Sequence, residues 1–159
     1  MVICYYLETW LLYLGYMSPK TARILKTIDE LENYLAKLTK SQKYSLADFK
    51  QDWHIYYSVE RLLQLSIESI IEIGEMVIGL AKLKKPEIYR ETFDILAEAG
   101  IINLTLALKL QRLTEFRNKL VHAYSTLPLE RIYQIYTKDF ECIPKFVSSI
   151  RKFLTSHNV

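Results

Sequence analysis

Apolar residues recur every three or four positions along most of this chain, which is the spacing of one helix face. One such stripe covers residues 24–38 and follows Ser18 and Pro19, a pair that can cap a helix and fit its first turn. Broader stripes cover residues 53–83 and 102–124. Because no segment alternates apolar and polar residues for long, the pattern predicts helices and no sheet.

Polar and helix-breaking residues separate these helices. Ser45 and Asp48 are spaced as a capping box with Asp in place of Glu, which indicates a short helix before residue 53. Pro86 should stop the long helix that precedes it, because proline cannot continue a helix. Gly100 is suited to end a third helix over residues 87–98.

A last helix is predicted over residues 129–155, with a kink at Pro144. The chain of 159 residues contains only four Gly and four Pro, so long helices with short connections are expected. The prediction is an all-α antiparallel bundle of about five helices. It forms one domain that buries roughly 70% of its unfolded surface.

The first 17 residues differ in character from the rest. They are apolar, but they lack the basic start and the small-residue cleavage site of a signal peptide, and Glu8 interrupts them. They are also shorter than the about 20 apolar residues that span a bilayer. We therefore expect residues 1–17 to be an accessory extension or a mis-assigned start, and Met17 is the alternative first residue in the second case. Residues 18–159 form the predicted domain, and we expect no membrane partner and a cytoplasmic location.

Charge and cysteine content limit the class of partner. A formal net charge of +3 allows an RNA or nucleotide partner without demanding one, since strong nucleic-acid binders are usually more basic. Cys4 and Cys142 lie far apart, with no CxxC or His/Cys cluster. We expect both to be free thiols in a reducing compartment, and we predict no metal site and no cofactor.

Residues 117–124, Arg-Asn-Lys-Leu-Val-His-Ala-Tyr, place candidate catalytic groups at the end of the fourth long helix. Arg117 is a permanent, forked cation that suits phosphate, and His122 exchanges a proton near neutral pH. Cleavage of RNA by its own 2′-hydroxyl needs a base, an acid and a cation for the phosphorane charge. Arginine and histidine are the minimum set for that reaction without a metal.

Helix geometry separates these groups. Arg117 and Tyr124 are seven residues apart and lie within about 20° of one face, whereas Arg117 and His122 are about 140° apart. Either the helix distorts near its end or a second copy of the chain supplies the missing groups. A two-fold homodimer would offer two His122 and two Arg117 around one cleft, which suits a reaction that needs both an acid and a base.

This motif resembles that of HEPN-domain proteins, specifically the HepT toxins of HepT–MntA toxin–antitoxin pairs. The family motif R-x-x-x-x-H-x-Y, usually written RN-x-x-V-H-x-Y, is matched by residues 117–124 at every fixed position. Residues 59–74 resemble the family's second helix, and residues 89–96 and 100–102 resemble the segment before the motif helix. Residues 75–76, Glu-Met, depart from the Asn-His of many relatives, which puts any role of that position in doubt.

The resemblance implies a fold, an activity and a partner. HEPN toxins are metal-independent ribonucleases that act as homodimers, with both motifs facing across the interface. MntA is a minimal nucleotidyltransferase that transfers AMP from ATP onto the motif tyrosine, here Tyr124. AMP at that position would add bulk and negative charge where an RNA phosphate should sit. The resemblance therefore implies an endoribonuclease toxin with Arg117 and His122 as catalytic residues and Tyr124 as its point of neutralisation.

Other interpretations of individual residues stay open. Arg117 alone would be a surface cation paired with Glu115 or a neighbour, and Asn118 either caps the helix end or supports catalysis by orienting His122. Glu68 and Glu72 share a helix face. For these two carboxylates, a solvated face or an ion pair with Arg61 or a lysine is favoured over a catalytic pair.

An alternative function also fits the sequence. The chain would then be a non-catalytic helical module that binds nucleotides or holds a nucleotidyltransferase partner, a function that the modest positive charge also suits. Growth arrest and RNA cleavage by the chain alone would distinguish the toxin from the module.

Overall fold

The computed structural model of the chain describes residues 18–122 and 128–156, with His122 described by its backbone only. Every regular element in these residues is helical, so the predicted all-α class is confirmed there. The predicted extension, residues 1–17, lies outside the described residues. In chain order the elements are α1 (Pro19–Ser41), α2 (Leu46–Gln51), α3 (Trp53–Leu80), α4 (Glu91–Glu98), α5 (Leu104–His122), α6 (Leu129–Thr137), a 3-10 turn (Asp139–Cys142) and α7 (Ile143–Ser156).

Helices α1 and α3 form the largest helix–helix contact of the bundle. They run antiparallel, because Arg23 near the start of α1 pairs with Glu72 near the end of α3 at 2.9 Å. The apolar positions that the periodicity assigns to one face are buried between them and the remaining helices. The apolar side chains of these two helices with at most 1% exposure are Ile24, Ile28, Leu31 and Leu38 of α1 and Val59, Leu63, Ile67, Ile70, Ile73 and Val77 of α3.

The second half of the chain completes this core. Helix α5 packs against α3, α4, α7 and the 3-10 turn, and α6 packs against α2 and α3. The largest fully buried side chains of the bundle are aromatic and close the space between the helices. They are Phe49 of α2, Phe93 of α4, Tyr136 of α6 and Phe146 of α7. None of the described helices is long and apolar enough to cross a membrane.

Local capping signals explain where several helices begin. The Thr21 amide donates a hydrogen bond to Ser18 Oγ at 3.1 Å, and Pro19 occupies the first turn of α1. The predicted capping box is confirmed at α2. There the Asp48 amide donates to Ser45 Oγ at 3.2 Å, and the Ser45 amide donates to Asp48 Oδ2 at 2.7 Å.

Helix α3 ends at Leu80 and not at the predicted residue 83. Lys82 takes a left-handed conformation with φ of 54°, and the Leu83 amide reaches back to the Ile78 carbonyl at 3.0 Å. This hydrogen bond is that of a Schellman motif, which closes the helix before Pro86 is reached.

Helix α4 begins at Glu91, so the predicted helical start at residue 87 is wrong. The Glu87 amide donates a hydrogen bond to Glu91 Oε2 at 2.8 Å. Its acceptor is thus a side chain and not the backbone carbonyl of a preceding helical turn. The end of α4 is as predicted. Gly100 has φ of 71°, a conformation that favours glycine, and the Ile101 amide bonds the Leu96 carbonyl at 3.0 Å.

The predicted last helix, residues 129–155, is two helices separated by the 3-10 turn. The break begins at Lys138, whose φ of −132° and ψ of −47° leave the helical conformation. Pro144 is therefore not a mid-helix kink. It is the second residue of α7, where the missing amide hydrogen removes no helical hydrogen bond.

Helices α3 and α4 approach closely at Gly74. A methyl group at Gly74 would lie 2.5 Å from the Thr92 methyl, and Thr92 is fully buried, so the space is already filled. Gly79 lies in the same helix, is exposed, and has no neighbouring atom within 4 Å of the same position. The two glycines therefore differ in packing while sharing one helix.

We expect Gly74→Ala to lower the free energy of unfolding by about 1–3 kcal/mol, because the added methyl overpacks the α3–α4 contact. Gly79→Ala is the matched control and should raise stability by up to about 1 kcal/mol, since alanine favours a helix. Urea denaturation of both variants measures the difference. Equal effects of the two substitutions would contradict the close approach at Gly74.

Candidate active site

The first six residues of the motif, 117–122, form the end of α5, a helix that is anchored in the core. Leu113, Phe116 and Leu120 on this helix are each at most 5% exposed. Arg117 and Asn118 follow directly on Phe116, and His122 is the last residue of the helix. Tyr124 lies outside the described residues. The structure therefore places Arg117 on a buried scaffold and gives the backbone position of His122.

Arg117 forms an ion pair with Glu68 of α3. Its Nε and Nη2 atoms donate to Glu68 Oε1 at 3.2 and 2.8 Å. The side chains are 21% and 33% exposed, so both charges are largely withdrawn from water. This pair bridges α5 and α3, and it fixes the guanidinium at the edge of the bundle.

Further polar residues of α3 hold the carboxylate. Gln64 Nε2 donates to the same Glu68 Oε1 at 3.0 Å, and Arg61 Nη1 donates to Gln64 Oε1 at 3.1 Å. Residues 61, 64 and 68 are spaced by three and four, so they line one face of the helix. The result is a chain of hydrogen bonds that ends on Arg117.

This environment determines the charge of Glu68. Partial burial is the largest influence and disfavours the charged carboxylate. The hydrogen bonds from Arg117 and Gln64, with the positive charges of Arg117 and Arg61, outweigh it. Together they hold the pKa of Glu68 below its usual value of 4.5. Glu68 is therefore an anion at neutral pH, where it is a charged partner of Arg117.

Arg117 retains the capacity to bind an anion. A guanidinium carries five N–H donors, and Glu68 accepts from two of those of Arg117. The other three make no hydrogen bond to another described residue. They are suited to bidentate contact with phosphate oxygens, the geometry for which arginine is best adapted.

The structure decides two of the interpretations left open by the sequence. Glu115 pairs with Arg90 at 3.2 Å and not with Arg117. Glu68 and Glu72 each form an ion pair, as favoured, but their partners are Arg117 and Arg23 and not Arg61. Sequence reasoning missed the Glu68–Arg117 contact because the residues are 49 positions apart. One sequence signal does indicate such a contact. An arginine next to the buried apolar positions of a helix needs a carboxylate, and that carboxylate has to come from another helix.

The relation of Arg117 to His122 follows from the regularity of α5. The helix is uninterrupted from Leu104 to His122, so no distortion brings the two positions together before its end. They remain about 140° apart around the axis. Asn118 is exposed and lies four residues before His122.

The thiol of Cys142 takes no part in this arrangement. Burial raises its pKa to about 11, so the nucleophilic thiolate is scarce at neutral pH. Among the described residues no group of three or more His, Cys, Asp or Glu side chains could hold a metal ion. Arg117 with its carboxylate is accordingly the best-formed anion site of the motif.

Comparisons with known proteins agree with the motif. A family model described as Ribonuclease HepT-like matches residues 24–150. The tRNA nuclease HepT of Aphanizomenon flos-aquae is 28% identical over 129 residues, which cover 80% of this chain and 86% of that protein. The mRNA nuclease HepT of Shewanella oneidensis is 29% identical over 105 residues, which cover 66% and 79% of the two chains.

A solved structure shows the same fold. The tri-AMPylated HEPN toxin of Shewanella oneidensis, in complex with MNT antitoxin, matches with a TM-score of 0.76 at 24% identity. The match covers 86% of this chain and 99% of that one. With a family model that spans most of the chain, a shared fold and an intact motif, this protein belongs to the HepT-like ribonuclease family.

Proposed function

We propose that this protein is the toxin of a toxin–antitoxin pair and cleaves RNA through Arg117 and His122 without a metal ion. The observation that carries the proposal is the half-buried Arg117, which Glu68 orients and which keeps three donors for a phosphate. The two HepT relatives are nucleases of tRNA and mRNA, which supports RNA as the substrate class. Its place of action is the cytoplasm, where that substrate is found.

The reaction needs no group beyond those of the chain and the RNA. A base removes the proton of the 2′-hydroxyl, whose oxygen attacks the adjacent phosphorus. Arg117 stabilises the negative charge of the phosphorane, and an acid gives a proton to the 5′-oxygen as its bond to phosphorus breaks. The products are a 2′,3′-cyclic phosphate and a free 5′-hydroxyl. His122 of one chain supplies either the base or the acid.

We infer that a homodimer completes the site. One chain has one motif histidine, and Arg117 and position 122 lie on different sides of α5. A two-fold axis between the two chains brings a second His122 and a second Arg117 to the same phosphate. One histidine then acts as the base and the other as the acid.

Neutralisation is proposed to occur at Tyr124. A partner of the MntA type binds ATP, the tyrosine oxygen attacks its α-phosphorus, and pyrophosphate leaves. The tyrosine is seven residues after Arg117, within about 20° of the same helix face if α5 continued to it. The bound AMP therefore brings its negative charge to the cation that RNA requires. The tri-AMPylated state of the Shewanella oneidensis toxin supports this proposal.

Purified protein should cleave RNA in the presence of EDTA, because side chains and not a metal move the protons. His122→Ala and Arg117→Ala should each reduce the cleavage rate by at least about a hundredfold. Gel analysis of a tRNA and an mRNA substrate measures both. His54→Ala is the control, since His54 is an exposed histidine at the start of α3 and should be dispensable.

Three outcomes would contradict parts of this proposal. Cleavage that stops in EDTA rejects the metal-free mechanism, and cleavage that survives in His122→Ala rejects the assigned histidine. RNA that stays intact with the wild-type chain supports the non-catalytic module.

Co-refolding wild type with an equal amount of His122→Ala tests the dimer. Relative to the same total amount of wild-type protein, the RNA-cleavage activity should fall to about a quarter if the active site needs both histidines of the dimer. It should fall to about half if each chain acts alone.

Glu68→Gln should lower kcat by about tenfold to a hundredfold with little change in KM, because Arg117 loses the anion that orients it. Glu72→Gln is the matched control. It removes a carboxylate one turn away whose partner Arg23 is mostly exposed, and an exposed pair contributes little. Steady-state kinetics on one RNA substrate measures the effect. Equal kinetics in the two variants would reject a positioning function for Glu68.

The same pair should make stability depend on pH. Because the folded pKa of Glu68 is lowered, its stabilisation is complete above the usual value of 4.5 and is lost as the pH falls through the lowered value. The stability advantage of wild type over Glu68→Gln should therefore shrink from about pH 6 to about pH 3. Urea titrations at each pH measure it, and a constant difference would contradict the ion pair.

Incubation with a nucleotidyltransferase of the MntA type and ATP should add the mass of one or more AMP groups and stop RNA cleavage. Tyr124→Phe should stay unmodified and active, since it lacks the accepting oxygen. Intact-mass spectrometry measures the modification. A Tyr124→Phe protein that still acquires AMP would place the modification elsewhere.

A further inference from the structure

A basic cleft lies on the side of α5 away from Glu68, between α5, α6, the 3-10 turn and α7. Its volume is about 300 Å³. Buried Leu113, Ile135 and Cys142 form its floor. Its walls carry cationic side chains from three helices and the residue that follows α6, which are Lys109, Arg112, Arg131, Lys138 and Lys145.

The cleft holds the excess positive charge of the chain. Five lysine and arginine residues line it with two carboxylates, Asp139 and Glu141. The remaining sixteen basic residues of the chain are matched by sixteen acidic residues. The net charge of +3 is thus equal to the charge of this one surface.

Most of these cations are not neutralised by the protein. Arg131 donates to Gln134 at 2.8 Å and lies 3.7 Å from Asp139. Lys109, Arg112, Lys138 and Lys145 form no ion pair with another described residue. The five cations outnumber the two carboxylates of the lining and repel one another, so an anion that enters the cleft is bound favourably.

The cleft also lacks the features of a protein-docking surface. Protein interfaces rely on exposed aromatic or aliphatic anchors that become buried on binding. None of the large exposed apolar side chains in the described part of the chain lines the cleft. A small or narrow anion with several charges, such as a phosphate chain, matches this lining better than a protein surface does.

Helix α5 connects the cleft to the motif. Arg112 is ten residues before His122, about 15 Å along the axis. Exposed Lys119 lies between them, within about 20° of the face that Arg112 occupies. Arg131, another cation of the cleft, lies in the first turn of α6. A stacked strand with about 3.4 Å per nucleotide spans this distance in about four nucleotides, and an extended strand in fewer.

We propose that this cleft binds backbone phosphates of the RNA substrate a few nucleotides from the bond that is cleaved. The proposal rests on the proposed function, because the strand in the cleft is the one cut at the motif. Lysine and arginine contact phosphates whatever the base, so the cleft supplies affinity and register without reading sequence. It is separate from Arg117, whose phosphate is the one that reacts.

The test uses full-length protein with His122→Ala, so that RNA is bound without being cut. The charges of the cleft are removed by Lys109→Gln, Arg112→Gln and Lys145→Gln together. The control removes three exposed lysines of α1, which does not line the cleft, by Lys20→Gln, Lys26→Gln and Lys37→Gln. Binding of a fluorescein-labelled single-stranded RNA is measured over a range of KCl concentrations, and thermal melting confirms that both variants are folded.

The cleft variant should bind about tenfold or more weakly. Its slope of log Kd against log salt should fall by about two, since each phosphate that the protein no longer neutralises lowers the slope by about 0.7. The α1 variant should keep the slope of the parent protein. Equal slopes in the two variants overturn the proposal. So does a cleft variant that binds RNA normally but no longer binds its nucleotidyltransferase partner, which would make the cleft a protein-docking surface.

Failure of the proposed function gives a different result. If the wild-type chain leaves RNA intact while the cleft variant loses salt-dependent binding, the cleft binds RNA in a non-catalytic module. If the wild-type chain cleaves RNA, and the same three cleft substitutions in a chain that keeps His122 leave KM unchanged, the cleft has no part in substrate binding.

Discussion

Arg117 and Glu68 form the interaction on which the candidate site depends. A partly buried guanidinium is stabilised by a carboxylate that neutralises it, and a partly buried carboxylate is stabilised in the same way. Each of the two charges is therefore stable at the bundle edge because the other is there. Since one residue lies on α5 and the other on α3, packing of these two helices determines where the cation stands. The geometry of the motif is thus set by the packing of the core.

The helical repeat then limits what one chain can do. The apolar side chains of α5 must face the core, which directs Arg117 toward α3, and a regular helix carries position 122 about 140° away. A histidine on the same helix face as the arginine would have to follow it by about four or about seven residues, whereas His122 follows Arg117 by about five. The spacing of the motif is therefore unsuited to a single-chain site on a straight helix. It suits a site in which a second chain approaches from the exposed side of α5.

Local sequence signals predicted the helices well, and tertiary contacts account for what they missed. Ser45 and Asp48 indicated a helix start, and Gly100 a helix end, because the chemistry of a cap lies within a few residues. The break at Lys138 carries no proline or glycine, so the local sequence points to Pro144 as the irregular position instead. Residues 117–124 identified the motif, but no local pattern names a partner 49 residues away. The basic cleft was hidden for the same reason, because its cations are spread over several helices.

The two positive regions of the surface have different physical effects. The charge of Arg117 is largely neutralised by Glu68, so Arg117 attracts distant anions only weakly. Its remaining donors have a fixed orientation and therefore favour one phosphate geometry. The cleft cations are mostly unpaired and held on flexible side chains, which gives attraction without fixed geometry. A mild net charge is then no argument against a polyanionic substrate. What matters for binding is the local excess of charge, and balance elsewhere on the chain keeps non-specific attraction low.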